Sequence, residues 1–370
     1  MSGNEGGMTR PPRDILLREY RPQSRLEVAE HRVERARFPA VDAHNHLGRW
    51  LSDDGGWVVP DVEAMIGLLD RLNVDAVVNL DGRWGEELEA NLDRYDRSYP
   101  GRFATFCHVD WREAERPGFT DRLVGSLEDS ASAGARGLKV WKDLGLRVRD
   151  HGGSLILPDD DRLGPLWDAA GGLGLPVLIH TADPVAFFHP LDHRNERLEE
   201  LLENPEWSFH GPQFPTFGRL MEALERIVAN HPRTTFIGAH VGCYAESLLW
   251  VRRMLDAYPT FHVDISARIA ELGRQPRAAR ELIVQHDDRV LFGTDVFPPD
   301  PEHVRVYFRF LETSDEYFPY SPAEIGTQGR WNIYGLGLPG DVLRNVYSDN
   351  ARRLIPGMIG GGGTEREGRA

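Results

Sequence analysis

The sequence predicts an α/β protein whose strands close into a (β/α)₈ barrel, the TIM-barrel architecture. Eight short, nearly continuous apolar runs succeed one another along the chain, and turns and helical stretches separate them. Runs that are apolar throughout are typical of strands buried on both faces, as in a parallel sheet. Eight such repeats close into a barrel more naturally than they spread into an open doubly wound sheet, which is the alternative fold.

The elements follow in order from apolar spacing and from stop signals. The helix predicted over 62–72 ends just before Asn73, and the helix over 217–230 ends at the dipeptide His231-Pro232. Further helices are predicted over 247–258 and 278–285. The eight predicted strands are 39–46, 74–80, 102–109, 135–141, 175–180, 234–240, 260–266 and 290–295.

Three segments lie outside the repeat. Residues 1–38 form a predicted N-terminal arm, in which 25–37 are candidates for a helix, and the barrel domain spans 39–356. Residues 189–217 form a long loop insertion after the fifth strand, on the face where barrels bind ligands. The glycine-rich residues 357–370 are predicted to be a flexible tail.

Composition excludes several classes of function. The 370 residues include 43 Lys and Arg against 58 Asp and Glu, a formal charge of −15. Such a chain is a poor partner for nucleic acid or for an anionic membrane surface. Two cysteines cannot form a disulfide framework, and the sequence has neither a signal peptide nor a long apolar span. We therefore expect a cytoplasmic protein that binds a small-molecule substrate.

Histidine and aspartate end several of the predicted strands. His44 and His46 close the first strand two residues apart, so alternation places both side chains on one face. His180 and His240 end the fifth and sixth strands, and Asp295 ends the eighth. Each alone is more often a hydrogen-bonded core residue. Together they lie where a barrel brings strand ends into one site, and imidazole with carboxylate is a set that divalent transition metals favour.

These residues resemble the signature of a known family. The DAHNH segment at 42–46, His180, His240 and the GTD segment at 293–295 look like the metal-dependent amidohydrolase superfamily. Within it, the chain is most similar to the amidohydrolase-2 branch, the relatives of aminocarboxymuconate semialdehyde decarboxylase. The resemblance runs from about residue 39 to residue 353. It implies a barrel of the metal-dependent hydrolase type, and dimers are common in this family.

The resemblance also implies roles. His44, His46, His180 and Asp295 would bind one divalent ion, with zinc expected and manganese, iron, cobalt or nickel as alternatives. Asp295 and His240 would be catalytic, moving and orienting protons of the attacking water. The implied reaction is hydrolysis, in which metal-bound hydroxide attacks a carbonyl of a small amide, ester or lactone. The alternative is nonoxidative decarboxylation of a small aromatic or enoic carboxylic acid. A barrel that binds a ligand without catalysis is the third hypothesis.

Two cationic residues have open roles at this stage. In dinuclear members of the superfamily, a lysine placed like Lys139 is carbamylated and bridges a second metal ion. Alternatively, Lys139 pairs with Asp295 or with a substrate carboxylate, and one ion is favoured over two. Arg268 follows the seventh strand and either clamps a substrate carboxylate or forms a surface salt bridge. Lys142 is expected to point away from the site.

Aromatic residues that follow the strands are candidates for a pocket wall. A paired arginine together with an aromatic cage would favour the decarboxylase, because that reaction needs a held aromatic or enoic acid. The candidate aromatic residues are Trp141, Phe187, Phe188, Tyr244 and Phe297.

Overall fold

The eight predicted strands are all present. The structure is a computed structural model that describes residues 12–358. The eight strands are β1 (Ala40–Asn45), β2 (Val74–Asn79), β3 (Phe103–Thr105), β4 (Leu138–Val140), β5 (Val177–Ile179), β6 (Phe236–Gly238), β7 (Phe261–Asp264) and β8 (Val290–Leu291). A short antiparallel pair, β9 (Phe318–Pro319) and β10 (Asn332–Ile333), lies after them.

Backbone hydrogen bonds join the strands into a ring. Strands β1 to β3 pair in parallel in chain order, and so do β4 to β8. Between the two groups, the amide of Cys107 donates to Gly137 O over 2.9 Å and the amide of Lys139 to Cys107 O over 2.8 Å. Between the last strand and the first, the amide of Ala43 donates to Phe292 O over 2.9 Å. The sheet is a (β/α)₈ barrel, as predicted.

Helix ends are set by capping residues that the sequence shows. The helix Val62–Leu72 begins after Asp61, whose carboxylate accepts from the backbone of the first turn, and ends at Asn73 in the left-handed region. Thr216 caps the helix Phe217–Asn230 in the same way. The main α-helices are Val62–Leu72, Gly85–Leu92, Phe119–Ala133, Gly164–Gly172, Leu198–Glu203, Phe217–Asn230, Leu248–Ala257, Ile269–Arg274, Pro276–Gln285, Pro301–Glu312, Gly340–Arg344 and Asn350–Leu354.

The core has two layers. The larger layer lies between the strands and the surrounding helices. A smaller layer fills the barrel itself with residues such as Val41, Val78, Leu178 and Ile237, and residues near 351–358 pack against it. Because apolar side chains fill this inner layer, the polar side chains buried beside it at the strand ends form a distinct site.

The N-terminal arm differs from its prediction. Residues 25–37 form no helix. The described part of the arm, residues 12–38, has single 3₁₀ turns at Pro12–Asp14 and Leu17–Glu19 and otherwise no regular secondary structure, and residues 1–11 lie outside the described residues. The physical reason is that its charged residues alternate with too few apolar ones to give a helix a buried face. Instead the amide of His31 donates to Asp315 over 2.8 Å.

Other sequence expectations have mixed outcomes. The insertion at 189–217 holds the short helices Leu198–Glu203 and Pro205–Trp207. Of the predicted tail, residues 359–370 lie outside the described residues. Within residues 12–358, every helix is too short or too polar to cross a bilayer. The domain limits, the homodimer and the cytoplasmic location stay predictions.

Candidate metal centre

Strand ends bring the predicted side chains together at one mouth of the barrel. The four imidazoles of His44, His46, His180 and His240 are buried, and the Asp295 side chain is 20% exposed. Oδ1 of Asp295 lies 3.4 Å from Nε2 of His46 and 3.9 Å from Nε2 of His44. The rings of His180 and His240 are 4.5 Å apart between centroids. The residues that sequence spacing placed at one mouth are therefore neighbours in space.

Buried carboxylates hold the two histidines of β1 from behind. Nδ1 of His44 lies 2.9 Å from Oδ2 of Asp264, and Nδ1 of His46 lies 2.8 Å from Oδ1 of Asp81. An ionised carboxylate only accepts hydrogen bonds, so Nδ1 of each ring carries the proton. The Nε2 atom of each ring is directed toward Asp295. This orientation by an outer carboxylate is the usual support of a metal-binding imidazole.

His240 is held through an unusual backbone. Its Nδ1 lies 2.9 Å from the carbonyl oxygen of Ser266, and its amide donates to Oδ1 of Asp264 over 3.0 Å. Its φ is 57°, and the β-branched Val241 follows at 61°. Left-handed conformations in such residues cost on the order of 1–3 kcal/mol each. Packing and the Asp264 bond hold this strained turn, which presents the imidazole to the site.

The donor set fits a divalent ion. One ligand atom from each of His44, His240 and Asp295 lies within 4.8 Å of the others. Nitrogen and oxygen ligands at ~2.0–2.2 Å from one zinc ion are at most about 4.4 Å apart. The distances of 3.4 and 3.9 Å from Asp295 to the β1 histidines fall inside that limit. Two or three neutral imidazoles with one carboxylate are the ligand chemistry of zinc and its neighbours.

His180 is in a different state. Its Nε2 lies 3.2 Å from Oδ1 of Asp183, whose other oxygen forms an ion pair with Lys142. The ring nitrogen that would bind an ion is therefore engaged, and the ligand role of His180 stays a prediction. The expectation that Lys142 points away is wrong. The backbone turns directly after β4, and the buried Asp183 draws the ammonium group of Lys142 into the cavity wall.

Lys139 and Arg268 both lie at the site. Nζ of Lys139 is 3.3 Å from Nε2 of His44, and no carboxylate oxygen of residues 12–358 lies within 4 Å of it. Arg268 is buried at the cavity wall, with Nη1 donating to Ala267 O over 2.8 Å, rather than in a surface salt bridge. Lys139 is thus positioned beside a ligand candidate, and Arg268 beside the space for a substrate.

Burial and neighbouring charges move the acidities in opposite directions. Burial, then the charge of Lys139, lowers the pKa of His44 well below its usual range. Burial also acts on His46, but Asp81 and Asp295 override it and raise its pKa to about 9. Burial raises the pKa of Asp295, and the neighbouring His44 and His46 more than reverse this, so its pKa is lowered. Asp295 is therefore ionised at neutral pH.

A cavity of about 390 Å³ opens over these residues. Three of the aromatic residues predicted as wall, Trp141, Phe187 and Phe297, line it. Phe188 and Tyr244 instead pack in a satellite core beneath the insertion. The insertion adds Trp207. The full lining is His44, His46, Leu51, Trp141, Lys142, His180, Asp183, Pro184, Phe187, Arg197, Glu200, Trp207, His240, Ala267, Arg268, Asp295, Phe297 and Gln328.

Four supporting residues escaped the sequence reasoning. The sequence assigns no role at the site to Asp81, Asp183, Asp264 or Ser266. A signal was present, because Asp81 directly follows the predicted second strand and Asp264 lies near the end of the seventh, as the histidines do. Acidic residues are nevertheless common at strand ends, so only the distances to ring nitrogens single these out.

Comparisons with known proteins identify the family of the chain and support its fold. A model of the amidohydrolase family matches residues 41–357. A search of curated proteins finds no match. Among solved structures, 2,6-dihydroxybenzoate decarboxylase from Rhizobium is 16% identical with a TM-score of 0.55, covering 86% of this chain and 98% of that chain.

Two further structures are similar. Dihydroxybenzoic acid decarboxylase from Polaromonas sp. JS666, with bound manganese and the inhibitor 2-nitroresorcinol, is 15% identical with a TM-score of 0.54, covering 86% of this chain and 96% of that chain. An amidohydrolase from Burkholderia multivorans with bound zinc is 15% identical with a TM-score of 0.50, covering 85% and 98%. At such identities the likeness shows the fold alone.

Proposed function

The chain belongs to the amidohydrolase family, and from this membership we propose that it is a metal-dependent hydrolase of a small ester, lactone or amide. The observation that carries the proposal is the convergence on Asp295. Nε2 of His46 and Nε2 of His44 lie 3.4 and 3.9 Å from its Oδ1, while Nδ1 of each ring is held by a buried carboxylate. Such preorganisation is what a bound cation requires.

We propose His44, His46, His180 and Asp295 as the ligands of one divalent ion. Zinc suits the set best, and the manganese and zinc bound in the similar structures make either ion reasonable. When bound, the ion would polarise a substrate carbonyl and lower the pKa of an attacking water. A single ion is favoured because Nζ of Lys139 lies 3.3 Å from Nε2 of His44. In this position the lysine is an amine next to one set of ligands rather than a bridge to a second ion.

The proton transfers fall to Asp295 and His240. Asp295 is ionised, so its carboxylate accepts the proton of the water and then delivers it to the leaving group. Nδ1 of His240 donates to the carbonyl oxygen of Ser266, which leaves Nε2 as an acceptor toward the cavity. Burial lowers the pKa of His240, so this imidazole is neutral and orients the water by accepting its hydrogen bond.

The cavity limits the substrate. A volume of about 390 Å³ with Trp141, Phe187 and Phe297 in its wall suits a small molecule with a flat or apolar part. Arg268 presents a cation from the same wall, and among residues 12–358 its guanidinium forms no ion pair within 4 Å. We therefore place a substrate carboxylate against Arg268.

Nonoxidative decarboxylation is the second candidate, and the aromatic wall beside Arg268 favours it. Two arginines, Arg197 and Arg268, line the cavity together with the aromatic wall. The guanidinium of Arg197 is already bound by Glu200 over 2.7 Å and by Glu271, so Arg268 alone is available to hold an acid. In this reaction Arg268 would orient an aromatic carboxylate while a site residue protonates the carbon that loses carbon dioxide.

One experiment separates the hypotheses. The purified chain is analysed for bound metals and then assayed for acid release from ester, lactone and amide panels, and for carbon dioxide release from hydroxybenzoates. We expect close to one equivalent of metal, and hydrolysis without carbon dioxide. Carbon dioxide release alone would replace the first candidate by the second. Less than a tenth of an equivalent of metal, with metal-independent ligand binding, would contradict both.

A matched pair of variants ties the metal to this centre. The double change His44→Ala and His46→Ala removes half of the proposed ligands and is expected to release the ion. His151→Ala with His193→Ala removes two loop histidines outside the cavity lining and serves as the control. Retention of a full equivalent of metal by the first variant would point to a different site.

A further inference from the structure

A second hollow opens beside the metal centre on the same rim of the barrel. Its volume is about 550 Å³, and its residues come from the segments after β1, β2, β3 and β4. Trp141 lines both this hollow and the cavity over the metal centre. The proposed hydrolysis assigns no role to the residues that line this hollow.

The centre of the hollow is an arginine between two indoles. The Cζ atom of Arg83 lies 4.7 Å from the ring centre of Trp50 and 4.4 Å from that of Trp84. Both distances are within the range of favourable cation–π contact. Arg83 is half-buried and has a positive φ of 59°, an uncommon conformation for a residue other than glycine or asparagine. The two indoles therefore flank this guanidinium.

Arg83 differs in its partners from Arg112 and Arg147, which line the same hollow. The fourth arginine of the lining, Arg149, is exposed and donates to Gly153 O over 3.0 Å. Arg112 is bound to Asp110 through two nitrogens, and Arg147 lies 3.6 Å from Asp143. For Arg83, no carboxylate oxygen of residues 12–358 lies within 4 Å; Asp81 and Asp110 act on it only at longer range. A half-buried cation without an ion-pair partner, in a chain of net charge −15, is a receptor for an anion.

Aromatic rings connect the two cavities. The ring of His46 lies 5.0 Å from that of Trp141, which lies 4.6 Å from that of Trp50 in an edge-to-face contact. Nε1 of Trp141 is a buried donor without a hydrogen-bond partner among the described residues. A flat molecule that passes over Trp141 would contact indole surface along its length and meet Arg83 at the far end.

We propose that Arg83, Trp50 and Trp84 form a distal subsite that binds the remote carboxylate of an elongated aromatic substrate. The proposal rests on the proposed function for the reacting end of that substrate and adds the chemistry of the other end. The planar fork of Arg83 takes the carboxylate in two parallel hydrogen bonds, and the indoles pack on the ring that carries it. The substrate of the hydrolase is thus an aromatic acid with an ester, lactone or amide at its opposite end, and an aromatic diacid would be the substrate for the decarboxylation candidate.

Calorimetry with three probes tests the subsite without turnover. Biphenyl-4,4′-dicarboxylate has two remote carboxylates, biphenyl-4-carboxylate lacks one, and benzoate lacks the second ring as well. We expect the full chain to bind the diacid at least tenfold more tightly than the monoacid, and benzoate most weakly. Equal affinity for diacid and monoacid, or no binding of the diacid, would overturn the proposal.

Two arginine variants localise the effect. Arg83→Gln keeps a polar side chain and removes the charge, and it is expected to abolish the difference between diacid and monoacid. Arg112 lines the same hollow, but Asp110 already neutralises its charge. Arg112→Gln is therefore expected to keep the ratio of the diacid and monoacid affinities within twofold of the wild type. A preference that survives in Arg83→Gln, or that is lost in Arg112→Gln instead, would contradict the assignment.

Kinetics distinguish a failure of the distal-subsite proposal from a failure of the proposed function. With substrates that differ only in a remote carboxylate, Arg83→Gln should raise KM at least tenfold for the acid and leave kcat within twofold. The neutral analogue should be unaffected. Absence of turnover with every substrate would refute the hydrolase and leave the calorimetric result as the measure of the subsite.

Discussion

The histidines at the barrel mouth are held in two different ways. His44, His46 and His240 are fixed from behind, through Nδ1, by Asp264, Asp81 and the Ser266 carbonyl. His180 is held from the front, through Nε2, by a carboxylate in the cavity wall. The first arrangement directs Nε2 of each ring into the site, where that of His44 lies 3.3 Å from Nζ of Lys139, whereas in the second a carboxylate of the protein holds Nε2 itself. Three of the four imidazoles are preorganised, and the fourth is in competition.

The largest expected effect comes from the carboxylate on which the preorganised group converges. Asp295→Asn removes the base and weakens one ligand, so kcat should fall by about 10²–10⁴-fold while the fold is retained. Steady-state assays with circular dichroism check this. Asp129→Asn, an exposed change on the helix Phe119–Ala133, is the matched control and should be neutral. Near-normal kcat in Asp295→Asn would remove its catalytic role.

Lys139 allows the electrostatics of the preorganised group to be measured directly. Burial lowers its pKa from 10.5 to about 8, against the opposing effect of Asp295. Between those two pH values the unfolded chain binds more protons than the folded one, so the free energy of unfolding rises with pH there. For metal-free protein the rise contributed by Lys139 is on the order of 3 kcal/mol.

The chain makes this measurement simple because Lys139 and Lys142 are its only lysines. Chemical denaturation at pH 7 to 10.5 measures the free energy of unfolding of the wild type and of Lys139→Met. The value for the wild type minus the value for Lys139→Met should increase with pH. Isotopic labelling of lysine gives two side-chain signals, and Lys142→Arg assigns them. Titration of the Lys139 signal at its ordinary pKa would contradict the buried state.

The carboxylates that bind the histidines through Nδ1 are expected to affect metal affinity. Asp264 contacts both Nδ1 of His44 and the amide of His240, whereas among the histidines of the site Asp81 contacts His46 alone. Asp264→Asn and Asp81→Asn should each weaken zinc binding 10- to 100-fold, with the larger loss for Asp264. Competition with a chromogenic chelator measures both. If Asp129→Asn and Asp264→Asn bind zinc equally, the outer hydrogen bonds do not orient the ligands.

The sequence predicts an element well where residues close in the chain determine its conformation, and poorly where distant residues do. All eight strands were predicted, because buried β-branched runs leave few alternatives, and the helix Val62–Leu72 was predicted to the residue, because Asp61 and Asn73 cap it. The arm helix over 25–37 was wrong because its contacts, such as His31 with Asp315, lie almost three hundred residues away. Propensity does not report such contacts.

The same distinction applies to the candidate site. His44, His46, His180, His240 and Asp295 were placed at one mouth because strand ends meet there by topology alone. Which atoms face one another depends on the turns after the strands. The ion pair of Lys142 and the strained turn at His240 arise in such turns, and spacing along the chain carries no information on either.

The smallest expected effect concerns the competing histidine. Lys142→Gln removes a positive charge from the ion pair with Asp183, next to the proposed cation site. Losing a like charge near a cation favours its binding by about 1 kcal/mol at the effective dielectric of a protein surface. Zinc affinity should therefore rise about three- to tenfold, measured by the same chelator competition. Lys142→Arg keeps the charge and should leave the affinity within twofold. A fall in affinity for Lys142→Gln would mean that the ion pair positions His180 for the metal rather than competing with it, and the two modes of holding a histidine would then serve the same end.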